Sequence, residues 1–145
     1  MRKQRKMRGF TLVELLIVLL ILGILIGLAV PRYLTALEQS RETTFCANVR
    51  SIISAMETYR MNQGTMEYPE TVDQIIASPA YFSQPPINPY TGTIMTSTTA
   101  SIVADEKNKG TFSYTRTDDK LDYVITTNPE CGLKNVGTEP EDQGG

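Results

Sequence analysis

"GFTLVELLIVLLILGILIGLAVP", residues 9–31, sets how the rest of the chain is read. From Leu15 to Val30 nothing is more polar than Gly23 and Gly27, yet Glu14 stands at the entrance, after Phe10, Thr11, Leu12 and Val13. As a helix, residues 10–30 would measure about 31 Å, the thickness of a hydrocarbon core. The segment has the length and polarity to span a bilayer, where an acid is costly unless it finds a partner.

Five of the fourteen basic residues (Arg2, Lys3, Arg5, Lys6, Arg8) precede this segment; removing them from a net charge of −2 leaves −7. By the positive-inside bias the basic head stays cytoplasmic and the chain beyond the apolar run lies outside the inner membrane. An acidic outer part argues against a broad nucleic-acid surface and leaves room only for a local basic patch. A secretory signal peptide, with a small-x-small site at Gly27-Leu28-Ala29, is the alternative. The apolar run exceeds the roughly 7–15 residues usual there, Glu14 interrupts it, and a helical pattern continues past Pro31.

That pattern carries Leu34, Leu37, Phe45, Val49, Ile52, Met56 and Tyr59 at mainly three- and four-residue steps, with charged residues between them. It predicts an amphipathic helix over 32–63, stopped at Gly64 and joined through a kink at Pro31 to the apolar half. A Pro-rich connection, 64–92, holds one short helix from Glu70 to Ala77, with Thr71 and Gln74 at capping-box spacing. From 93 to 134 the period becomes two. Residues 101–104, Thr111–Arg116 and Leu121–Thr126 are predicted strands of an antiparallel meander, and 135–145 a mobile acidic tail. The fold class is α+β: one long N-terminal helix on a small antiparallel sheet, with a globular domain over 32–134.

Gly9-Phe10-Thr11-Leu12-Val13-Glu14, with the basic leader before it and the apolar run after it, closely resembles the prepilin N-terminus of the type IV pilin and pseudopilin superfamily. The resemblance covers about residues 1–31, and the later order of helix, loop and strands looks like the same pilin fold. It implies that a prepilin peptidase cuts after Gly9, removing 1–9, and methylates the new terminus at Phe10. It also implies a role for Glu14: pairing with the positive N-terminus of a neighbouring subunit as a filament grows from the membrane. Two charges that are each costly in hydrocarbon become tolerable together, so the pairing favours one docking register. Gly23, Gly27 and Pro31 lie where related filaments loosen the helix; Gly23 and Gly27 also form a small-xxx-small pair suited to close helix contact.

Cys46 lies beside the apolar stripe and Cys131 follows the last predicted strand. Outside the cytoplasm they are free to form a disulfide stapling sheet to helix; two separate buried thiols are the alternative. Such a pairing departs from many type IV pilins, whose cysteines bracket the C-terminal region. Asp118, Asp119 and Asp122 offer oxygen ligands for Ca²⁺, which some secretion pseudopilins carry near their C-terminus. A hairpin turn with solvated acids is the more ordinary use of these residues.

No His, phosphate-binding loop or nucleophile motif is present, so the chain reads as a structural subunit without cofactors rather than an enzyme. The expected partners are copies of itself, the processing peptidase and methyltransferase, a platform protein and assembly ATPase at the inner membrane, and lipid before assembly. A type IV pilin is the first reading. A type II secretion or competence pseudopilin is the second, set back by Pro89-Tyr90-Thr91-Gly92 where major secretion pseudopilins have a Pro-Trp-Gly-like segment. A secreted binding domain released after Ala29 is the third.

Overall fold

A computed structural model describes residues 9–99, 102 and 105–133. The basic leader through Arg8, most of the predicted strand at 101–104, and the tail 135–145 lie outside the described residues; Ile102, which is described, belongs to no strand. Helix α1 spans Leu12–Asn62, about 77 Å. It runs through Pro31, whose carbonyl accepts a hydrogen bond from Thr35 Oγ1 at 3.2 Å. Gly64, at φ +67°, follows its C-terminus in the left-handed conformation that glycine adopts without a Cβ clash.

Two compact units divide the chain, one ending at Gln39 and the other beginning at Ser40. In the first, every described side chain to Val30 is exposed, and the helix is long and apolar enough to cross a membrane. Leu34 and Leu37 of the predicted stripe are exposed as well. The buried stripe begins at Phe45 and continues through Val49, Ile52 and Met56, one helical turn at a time.

The rest of the second unit closes over that stripe. Helix α2 (Val72–Ile76) buries Val72, Ile75 and Ile76. Strands β1 (Thr111–Arg116) and β2 (Tyr123–Asn128) form a two-stranded antiparallel sheet in which Thr111 faces Asn128 and Arg116 faces Tyr123. Met95, Phe112, Tyr123 and Ile125 complete one cluster with the α1 and α2 residues. Cys46 and Cys131 are bonded within it, their Cα atoms 5.3 Å apart, a separation usual for disulfides.

Two local expectations shift. Thr71 caps α2 in extended conformation but makes no side-chain hydrogen bond, so the capping box with Gln74 does not form. The second strand starts at Tyr123 rather than Leu121 because residues 117–122 close a turn. Thr117 N–H donates to the Asp122 carbonyl at 3.0 Å, Lys120 N–H to the Thr117 carbonyl at 3.0 Å, and Lys120 sits at φ +64°. Leu121, left on that turn, is half exposed.

Candidate functional site

The start of α1 carries the chemistry singled out from the sequence. Gly9 and Phe10 precede the helix and are exposed, so the peptide bond between them lies outside helical hydrogen bonding. The next residue is the helix cap. Thr11 N–H and Thr11 Oγ1 donate to Glu14 Oε2 at 2.9 and 2.8 Å, and Glu14 N–H donates back to Thr11 Oγ1 at 3.3 Å. This reciprocal capping box satisfies donors that a helix start otherwise leaves bare, and it sets a negative charge at the positive end of the helix dipole. Reading Glu14 from its burial cost alone passes over Thr11, although Thr-x-x-Glu before an apolar run is the signature of such a cap.

Only one carboxylate oxygen is used. Glu14 Oε1 has no partner among the described residues, which leaves it open to a second donor. Farther along, a Cβ built on Gly23 or Gly27 would meet nothing within 4 Å, so neither glycine is required by packing inside this subunit.

The remaining candidates lie in the second unit. The Cys46–Cys131 bond ties the segment after β2 to α1, and Arg50 Nη2 donates to the Cys131 carbonyl at 3.1 Å beside it. Asp119 Oδ1 lies 2.6 Å from Thr117 Oγ1 and accepts from Leu121 N–H at 3.1 Å; these bonds hold its carboxyl below the usual aspartate range. Asp118 and Asp122 do not join it. Among the described residues no three His, Cys, Asp or Glu side chains converge as a metal site.

A tyrosine cluster went unread in the sequence. Tyr68 lies edge-on to Tyr123 with centroids 4.7 Å apart, donates to Glu57 Oε1 at 2.7 Å, and sits under the Arg60 guanidinium. Tyr114 donates to the Pro69 carbonyl at 2.6 Å. Burial pushes the Tyr114 hydroxyl up to about 12 despite the opposing charge of Arg116, and it raises Tyr123 and Tyr68 too, with Glu57 adding to both. The Tyr68 and Tyr114 hydroxyls, bonded to Glu57 and to the Pro69 carbonyl, hold the 66–70 segment against α1 and the sheet. The chain separation of nine residues between Tyr114 and Tyr123 carries the hairpin signal, but Tyr68 comes from a loop and has none.

Known proteins share parts of this sequence. Residues 4–30 match the prokaryotic N-terminal methylation motif. The chain is 30% identical over 86 residues to type II secretion system core protein G of Pseudomonas aeruginosa, covering 57% of this chain and 59% of that protein. It is 36% identical over 72 residues to the type IV narrow pilus major component PilA5 of Thermus thermophilus, covering 50% and 60%. The core protein G of Vibrio cholerae is 34% identical over 71 residues, covering 49% and 47%. The chain thus spans about half of the length of the curated relatives it matches, and no solved structure matches it. With its capped, exposed apolar helix directly after Gly9-Phe10, this chain matches the prokaryotic N-terminal methylation motif and is similar, over about half of its length, to type II secretion core protein G and to a type IV pilus component.

Proposed function

We propose that this chain is a non-enzymatic, pilin-like structural subunit. A prepilin peptidase cuts it between Gly9 and Phe10, the new terminus is methylated, and the mature chain polymerises from the inner membrane into a surface filament. The observation that carries this reading is an apolar helix start exposed all round, lying within the matched motif and headed by an acid with one oxygen uncommitted. In lipid that surface is solvated by acyl chains; in a filament it is covered by the same helices of other subunits. Glu14 Oε1 then accepts from the amino terminus of a neighbour while Oε2 continues to cap its own helix. The N-terminus faces the cytoplasm before assembly, and a platform protein and an ATPase drive extraction from the bilayer, because this sequence has no nucleotide-binding motif.

A second reading, a pseudopilin of a type II secretion system, is favoured by the repeated similarity to core protein G. It shares every step and differs in where the filament ends. Intact-mass analysis of the membrane and filament forms tests the common reading. The expected mature chain begins at methylated Phe10; an assembled form retaining residues 1–9, or one beginning at Val30, overturns it.

A further inference from the structure

The exposed apolar surface of α1 continues past Pro31. Between Glu14 and Glu38 the chain carries a single charge, Arg32. Beside it Tyr33 is 67% exposed and Leu34 58%, and Leu37, one turn on, is exposed as well. All four precede Gln39, the end of the first unit, and nothing within that unit covers them.

Helix geometry sets their depth. Counted from Leu12 at 1.5 Å per residue, Arg32 lies about 30 Å along α1, the thickness of a hydrocarbon core. Residues 32–37 rise about 8 Å more, close to one polar interface layer of a bilayer, roughly 5–8 Å. Tyr33 and Leu37 are four residues apart, Leu34 and Leu37 three, so the three side chains share one side of the helix.

The polar groups in this stretch divide in two. Thr35, between Leu34 and Leu37, donates its hydroxyl to the Pro31 carbonyl at 3.2 Å and so turns its polarity back into the helix. The Arg32 guanidinium and the Tyr33 hydroxyl are engaged by no other side chain among the described residues, which leaves both for groups outside the subunit.

We propose that in the unassembled subunit Arg32 and the Tyr33–Leu34–Leu37 face dock into the headgroup layer of the outer leaflet of the inner membrane, with the guanidinium on lipid phosphodiesters. This rests on the reading of residues 12–30 as a membrane span and adds which residues fix its depth. The face continues the lipid-covered surface without a break, and its one charge is opposite in sign to phosphate. A guanidinium meets phosphate oxygens through a two-pronged fork, and tyrosine, apolar in its ring and wet at its hydroxyl, favours the membrane boundary. Glu38, the first acid after Glu14, marks where the chain leaves that layer.

The sequence contains no tryptophan, so one introduced indole reports its own depth. The full chain is reconstituted in phosphatidylcholine vesicles, with and without phosphatidylglycerol, carrying a quencher either at the headgroup or at the end of the acyl chain. Tyr33→Trp keeps an interfacial aromatic; it should emit to the blue of tryptophan in water, more so with phosphatidylglycerol, and be quenched more by the headgroup label. Leu20→Trp, in the middle of the span, should be quenched more by the chain-end label. Arg32→Gln added to Tyr33→Trp should shift quenching toward the deeper label and abolish the difference between the two vesicle types. If the chain-end label does not reach Leu20→Trp, the span itself is wrong and the proposal falls with it. Leu20→Trp quenched as expected while Tyr33→Trp emits as in water overturns the docking alone. Depth and lipid dependence unchanged by Arg32→Gln do the same, as does blue-shifted Tyr33→Trp emission that neither label quenches, which assigns the face to a second copy of the chain.

Discussion

Glu14 commits one carboxylate oxygen and leaves the other open, a division that would let one residue serve both a helix cap and the proposed subunit contact. Oε2 is held by Thr11, while Oε1 is open. Thr11→Val should remove the hydroxyl half of the cap and cost about 1 kcal/mol at the helix start, read as faster amide exchange in the first turn. Glu14→Val should preserve membrane insertion, since removing a charge favours the bilayer, and reduce filament yield. Normal filament yield from that variant would sink the proposed contact. Gly110 is the residue whose replacement should most disturb the second unit without touching its apolar core. Gly110→Ala meets both a positive φ and a 2.8 Å approach to Asn88, so a loss of about 1–3 kcal/mol is expected in denaturant unfolding.

At the scale of elements, the sheet, α1 and the loop before α2 meet at tyrosines and at one disulfide. Reducing Cys46–Cys131 frees a separation of 85 residues, and loss of a native disulfide commonly costs about 2–5 kcal/mol. The melting temperature of the second unit should fall on reduction, while the apolar half of α1, which contains no cysteine, should not respond. Tyr114 gives the same seam a pH dependence. Its hydroxyl ionises near 10 in the unfolded chain and about 12 in the folded one, so its stabilising contribution is complete below pH 10. Between pH 10 and about 12 the unfolded state loses its proton first, and stability should decline across that window. Tyr123→Phe removes a second phenol raised by burial, one whose hydroxyl makes no hydrogen bond among the described residues; it should shift alkaline unfolding upward, measured by circular dichroism at pH 11. The pair Gly23 and Gly27 belongs to this scale too. Neither is required by contacts within the subunit, so alanine at both should stiffen the helix by up to about 1 kcal/mol each, and any loss of assembly would come from contacts or helix loosening outside the monomer.

For the whole molecule the consequential fact is where the core stops. Among the described residues every buried apolar side chain lies at or after Phe45, within the unit that begins at Ser40, whereas the unit ending at Gln39 buries none. A fragment of residues 40–133 should therefore be soluble without detergent and unfold cooperatively, as judged by a single thermal transition. The longer chain should need lipid, detergent or its own copies to cover residues 12–30. A fragment that unfolds without a transition would show that the apolar half contributes to the core after all.

Local chemistry made part of this visible in advance. An uninterrupted apolar run reports membrane length wherever it occurs, Gly64 stops a helix by its own conformational freedom, and alternation at Phe112 and Tyr114 needs only the two-residue period of a strand. The place where the amphipathic stripe begins to be buried was not readable, because Leu34 and Leu37 fit the period as well as Phe45 and only the position of the second unit separates them. The start of β2 was equally hidden: Leu121 has the right polarity for a strand, but the hydrogen bonds of Thr117 across to Asp122 take it into the turn. Tyr68 joined its cluster through contacts with residues far apart in the chain. Periodicity and capping act within a few residues and are written in the sequence itself, whereas burial and the meeting of distant side chains depend on which surfaces the completed fold brings together.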